Sequence, residues 1–284
     1  MSDFENLVSE ARKLFDEQEY KEATKKYHTA LDYAPNDKDR ATIWAEICWT
    51  CYKDKSFQLA IEAAENVLEH DPDYKGEDDL YRLMGYSYFA LENDEKAEEL
   101  LLKSLNIDQD SEKQMYVCYE LGKLYFRNQR YLDAEKYFDK SEEYFKNNAH
   151  DYWISMLFFK GFSKYYLQKT SEAEQFFNQL IDISKDEPIA QSNGLYGLAF
   201  VYFDRKNYLD TINTCEKVTK LNPNFFDMES LGFLIAASFF YLGRYDVFEK
   251  YYEQITKSFE GGRYFEELSR LYAQIPKQNQ GPKN

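Results

Sequence analysis

Four cysteines and three histidines are the side chains whose types most readily suggest chemistry, and Cys48-Trp49-Thr50-Cys51 puts two of the thiols in a CxxC spacing. As a redox pair, that spacing needs a helix N-terminus following a strand, which lowers one thiol's pKa. Here the flanking residues read as mid-helix, so core packing is favoured over redox or zinc. Cys118 and Cys215 stand far away, and His28, His70 and His150 are scattered. No metal site is expected. Neither a Gly-rich phosphate loop nor an HExxH or GxSxG pattern occurs, so no enzyme activity and no cofactor is expected.

The composition narrows the alternatives. The 284 residues hold 26 Tyr, 22 Phe and 3 Trp but only 11 Gly and 6 Pro. Large side chains with few turn formers point to helices and a substantial core. The formal net charge is -16, which repels a phosphate backbone, so nucleic acid is not an expected partner. The charge is uneven: residues 1–142 carry 19 basic and 33 acidic groups, whereas 143–284 carry 16 and 18 and hold 30 of the 51 aromatics. The longest uncharged run, Ser230 to Gly243, is too short to span a bilayer, which takes roughly 18 residues. An acidic start at Asp3 and Glu5 and the sparse cysteines suggest no signal peptide and a cytoplasmic location.

The elements that must position any site emerge from self-similarity. Small residues recur at Ala11, Cys48, Gly85, Gly122, Gly161, Ala199 and Ala236, each followed twelve residues later by a second helical stretch containing Ala23, Ala60, Ala97, Ala134, Ala173, Thr211 or Phe248. Starts near 4, 41, 78, 115, 154, 192 and 229 give spacings of 37, 37, 37, 39, 38 and 37. Helices with small residues on one and rings on the other approach closely, and their uncovered faces require stacking. The extra residues per unit are expected in the turn between one repeat and the next, where Pro35, Pro72, Pro188 and Pro223 stand.

The pattern resembles the tetratricopeptide repeat (TPR), as in Ala11, Tyr20, Ala23, Tyr27, Ala30 and Pro35 of the first unit and Gly122, Tyr125, Tyr131, Ala134 and Phe138 of the fourth. The resemblance implies an all-α, right-handed superhelical solenoid of about seven helix-turn-helix units over 4–261. A capping helix over 262–274 and a flexible polar tail over 275–284 follow.

In that family the first helices line the concave face. Carried over residue by residue, this implies a partner-binding groove of Trp49, Tyr86, Tyr119, Lys123 and Arg127 in the first four repeats. Repeats five to seven would add Phe158, Phe159, Phe162, Tyr165, Tyr166, Tyr196, Phe200, Phe203 and Phe233, an aromatic wall. Five such rings exposing most of their roughly 150–250 Å² each would exceed an ordinary surface patch; packing between adjacent helices is the alternative for each ring. The family's carboxylate clamp is absent, with Val8, Arg12, Glu46, Asp79 and Leu83 at its places. Lys160 and Lys164 occupy core positions; either their stems pack, or they contact a ligand anion.

The function implied is a non-catalytic protein–protein interaction scaffold, binding a partner peptide or helix in the groove without membrane insertion. Two alternatives stay open: a self-assembling structural protein, hence a homo-oligomer, and a signal-peptide sensor.

Overall fold

The computed structural model describes residues 2–107 and 111–276; the expected tail from 277 onward lies outside the described residues. Seven helix pairs follow in order: α1 (Asp3–Asp16) with α2 (Tyr20–Leu31), α3 (Asp37–Lys53) with α4 (Phe57–His70), α5 (Glu77–Ala90) with α6 (Asp94–Ile107), and α7 (Ser111–Arg127) with α8 (Tyr131–Asn148). Then come α9 (His150–Tyr166) with α10 (Thr170–Ile183), α11 (Pro188–Asp204) with α12 (Tyr208–Leu221), α13 (Met228–Tyr241) with α14 (Tyr245–Ser258), and a last helix, α15 (Phe265–Ala273). No strand occurs among the described residues.

Volume complementarity explains the pairing. A side chain on Gly85 would come within 2.7 Å of Leu101 in the partner helix, and one on Gly122 or Gly161 would overlap the ring of Phe138 or Phe177. In each case the facing residue stands sixteen positions on and is wholly buried. Where Cys48 takes the small position, the residue sixteen on is Ala64, also wholly buried. The sum of the two volumes is what the close approach conserves.

Every turn within a pair closes the same way. Two residues past the end of each first helix stands a residue with positive φ: Gln18, Lys55, Glu92, Gln129, Gln168, Lys206 and Gly243. In the first turn the Gln18 N–H donates to the Phe15 carbonyl and the Glu19 N–H to that of Leu14, the paired bonds of a Schellman motif; the bonds of Lys206 to Phe203 and Asn207 to Tyr202 repeat it.

The extra residues of each repeat are helical in four units, contrary to the expectation that they lie between repeats. Helices α3, α7, α9 and α11 each begin four residues before the expected starts at 41, 115, 154 and 192. The start signals explain two of them: the Asn36 side chain caps α3 by accepting from the Asp39 N–H, and Pro188 opens α11. Before α5 and α13 the extra residues form a loop.

Contacts divide the chain into two compact units, Met1–Tyr144 and Phe145–Asn284, the division falling within α8. In the first unit α3 packs on α5 and α5 on α7; in the second α9 packs on α11, α11 on α13 and α13 on α15. Successive second helices do not meet to that extent. Within each unit, first helices thus pack on first helices and share a face.

Candidate functional site

The anticipated groove residues fall into two sets, one in each unit, with opposite character. In Met1–Tyr144, Trp49 on α3 and Tyr86 on α5 are half-buried, and the Arg82 guanidinium lies between them, 5.2 Å from the Trp49 ring and 5.7 Å from that of Tyr86. Lys123 sits 5.2 Å from the Tyr119 ring and 5.4 Å from Phe89, and Arg127 sits 3.9 Å from Phe89. Tyr119 itself is buried at 5% exposure and serves the core.

Each of these cations also holds a carboxylate. Arg82 pairs with Asp79 at 2.5 Å, Lys123 with Glu120 at 3.0 Å, and Arg127 with Asp94. Lys113 adds a second cation to Asp79 at 3.0 Å, and Arg12 meets Glu46 at 2.7 Å. Burial raises the pKa of the Glu120 carboxyl, with Lys123 opposing the shift. The face is a ladder of rings, cations and carboxylates that neutralises itself.

In Phe145–Asn284 the rings meet one another instead. Phe162 is the hub: its centroid lies 4.9 Å from Phe158, 5.7 Å from Tyr196, 6.0 Å from Tyr166 and 6.0 Å from Phe200. Phe159 touches Phe158 at 5.6 Å, and Tyr165 meets Phe200 at 5.8 Å. A second group joins Phe203 to Phe233 at 6.0 Å and to Tyr241 at 6.2 Å.

The exposure anticipated for this wall is only partly realised. Phe162 and Tyr196 are buried, at 4% and 6%, and Phe158, Phe159, Tyr165, Phe200, Phe203 and Phe233 are half-buried. Crowding of first helices interleaves the rings, which is the packing alternative. Tyr166 and Tyr241 stay open, at 47% and 48%. Phe226, which sequence reasoning missed, is 68% exposed in the loop before α13, 6.4 Å from Phe158 and 5.6 Å from Tyr196. Its signal was available: two adjacent rings, Phe225 and Phe226, directly after Asn222-Pro223-Asn224.

A polar cluster borders the wall. Tyr196 donates to Asp227 at 2.6 Å, Ser230 donates to the same carboxylate at 2.7 Å, and Arg263 pairs with Asp227 and Glu229. Burial opposes ionisation of Asp227, but these donors outweigh it and hold its pKa below the usual carboxylate value. Burial, and then the Asp204 carboxylate, push the Tyr165 hydroxyl well up.

The remaining sequence candidates are structural. Cys48 and Cys51 are free, buried thiols in the C-terminal part of α3, far from its N-terminus; burial, reinforced by Cys51, pushes Cys48 up to about 12, the reverse of a redox-active thiol. Lys160 is buried at 4% with its ammonium 4.9 Å from the Phe176 ring, so it does not reach an edge, and Lys164 pairs with Glu172 at 2.8 Å. Among the described residues no cluster of metal-ligating side chains forms, and no helix is long and apolar enough to cross a membrane.

Stacked helix pairs with small-to-large complementarity define an α-helical repeat protein. Residues 79–111 and 116–148 match the family model described as Tetratricopeptide repeat. The chain's fold is similar to a tetratricopeptide repeat protein from Parabacteroides merdae (17% identity, 95% of this chain and 97% of that one, TM-score 0.62). It is likewise similar to the apo form of RapI (11%, 94% and 79%, 0.71) and to Cut9–Hcn1 of the APC/C (17%, 82% and 42%, 0.58). No curated protein matches the sequence.

Proposed function

We propose that the chain is a non-catalytic interaction scaffold, binding an extended or helical segment of a partner protein along the first-helix face of Phe145–Asn284. One observation carries the reading: the network around Phe162 ends in open rings, Tyr166 and Phe226, while its interior is fixed by packing. Pre-ordered apolar anchors with exposed rims suit a docking site, since little side-chain entropy is lost on binding. The fold is compatible with such a role; Cut9, a neighbour, is solved as a hetero-tetramer with Hcn1. The test is affinity capture from the source cell with the intact chain and with Tyr166→Ala plus Phe226→Ala. A partner retained by the first and lost by the second supports the site, and equal capture places docking elsewhere.

A further inference from the structure

Away from the first-helix face, two cavities of Phe145–Asn284 occupy the same place in successive repeats. Helix α11 packs against both α10 and α12, which do not meet to that extent, and the space left between them is a groove of about 390 Å³. Ile181 of α10, Gln191 and Leu195 of α11, and Lys217, Lys220 and Leu221 of α12 line it. One repeat on, residues of α12, α13 and α14 line a cavity of about 320 Å³. Its Met228, Gly232, Gln254 and Ser258 stand 37 residues after Gln191, Leu195, Lys217 and Leu221, so the two are one groove repeated.

The two differ in the charge at their rims. At the first groove Lys217 and Lys220 are exposed, and among the described residues neither meets a carboxylate. Every arginine of this unit does hold one: Arg205, Arg244, Arg263 and Arg270. At the second groove the neutral Gln254 replaces Lys217, and α12 contributes Glu216 to that side. Helix α12 thus divides its charge, cations toward one groove and a carboxylate toward the other. Lys220 lies in the last turn of α12, where the free carbonyls favour a cation. That end effect does not account for Lys217, nor for the half-buried Ile181, Leu195 and Leu221 beside both lysines.

We propose that the groove over α11 seats a short amphipathic helix of a partner protein, its aliphatic stripe on Ile181, Leu195 and Leu221 and its carboxylates on Lys217 and Lys220. The spacing suits a helix. Three residues of α12 rise about 4.5 Å, the same step as carboxylates three apart on a second helix, whereas alternate residues of a strand step roughly 6.6 Å. Residues 143–284 carry 16 basic and 18 acidic groups, a balance that opposes an acidic ligand far less than the 19 and 33 of residues 1–142. The chain's own last residues, Lys277 to Asn284, bring two lysines and no Leu, Ile, Val or aromatic side chain, so their chemistry does not fit the groove. None of the six lining residues belongs to the ring network around Phe162, and this contact is additional to the docking site proposed above.

The test is fluorescence anisotropy of capped, labelled peptides about four turns long, titrated with the full chain at about physiological ionic strength. One peptide carries a Leu stripe at helical spacing flanked by Glu, a second has every Glu replaced by Gln, and a third is the Glu form broken by a central Pro. The Glu form should bind at least about threefold more tightly than the Gln form, as two exposed ion pairs allow. Lys217→Gln with Lys220→Gln should erase that difference. Lys169→Gln with Lys250→Gln, which removes the same charge from exposed sites outside the groove, should leave it intact, as should Tyr166→Ala with Phe226→Ala. Loss of the preference in the Lys169 and Lys250 variant is general attraction to lysines and overturns the inference. Equal binding of the Glu and Gln forms overturns the acidic occupant, and equal binding of the Glu and Pro-broken forms overturns the helical one. Binding abolished by the Tyr166 and Phe226 variant moves the peptide to the ring face, overturning this inference while supporting that site. Failure of the Glu form to bind overturns it too, as does self-association of the chain that Lys217→Gln with Lys220→Gln dissolves, which makes the occupant a second copy.

Discussion

The Tyr264 ring lies flat on Phe233, with centroids 4.2 Å apart and planes 10° from parallel, so the segment leading into α15 covers the last ring of the aromatic wall. The lid is pinned on its polar side, where Arg263 spans Asp227 and Glu229 and the Tyr264 hydroxyl meets Ser230 at 3.0 Å. Apolar residues Leu268, Leu271 and Ile275 close the core beneath it. Phe233 is thus a stacking partner for the chain's own end, and a solenoid whose last repeat lacked this segment would present it to solvent.

Removing the ring should therefore be felt locally. Tyr264→Ala is expected to lower stability by about 2–4 kcal/mol, from lost area and the stacked pair. Tyr264→Phe, which keeps the stack and loses only the bond to Ser230, should lower it by about 1 kcal/mol. Urea unfolding of both variants checks the order, and equal losses would mean that the hydroxyl, not the stack, holds the lid.

Phe177 occupies a space bounded by two glycines, Gly161 on its own partner helix α9 and Gly197 on the following first helix α11, and a methyl on either would overlap the ring. Gly161→Ala or Gly197→Ala should cost about 1–3 kcal/mol, against the small gain that Ala for Gly gives in an open helix. Adding Phe177→Leu should recover part of the loss, with a coupling of about 0.5–3 kcal/mol in a double-mutant cycle. Simple additivity would show that the glycines serve something other than this ring.

Much of this was legible in the sequence because it is periodic. Small residues twelve positions ahead of Ala or its substitutes fix the pairs, and the recurrence of seven copies makes accident implausible. What the period did not carry was local. The early starts of α3 and α11 are written in Asn36 and Pro188, capping signals that a fixed repeat length overrides. Phe226 stands in a loop, outside the helical positions from which a groove is read. Which rings of the wall pack and which stay open was not legible, because helical phase says which face a ring is on, but not how closely the next helix approaches.

The turns within the pairs are a store of backbone strain. Six of the seven place a non-glycine residue at positive φ, from 59° at Gln129 to 63° at Gln18, and only the seventh uses glycine, Gly243 at 73°. L-residues pay roughly 1–2 kcal/mol in that region, partly offset by the extra freedom glycine has when unfolded. Lys206→Gly should stabilise the chain by about 0.5–1 kcal/mol. Gly243→Ala should do the opposite by about 1 kcal/mol, although nothing lies within 4 Å of the added methyl. Opposite shifts in thermal midpoint are the signature; like-signed shifts would show that side-chain contacts decide these positions.

Buried thiols set an alkaline limit on stability. Burial raises Cys48 and Cys215 from 9.0 to about 12, so in the folded chain both stay protonated where the unfolded chain has begun to ionise. Above about pH 9 the unfolded state binds fewer protons than the native one, and stability must fall as pH rises. The contribution is whole below the unfolded value of 9.0 and is lost on the way to about 12. Urea midpoints should hold to about pH 8 and then decline, and Cys48→Ala with Cys215→Ala should flatten the first part of the decline, before the buried tyrosines join. The same burial makes alkylation of Cys48 slow in native protein and fast in urea. Rapid native labelling of Cys48 would contradict the packing assigned to the CxxC pair and reopen thiol chemistry at α3.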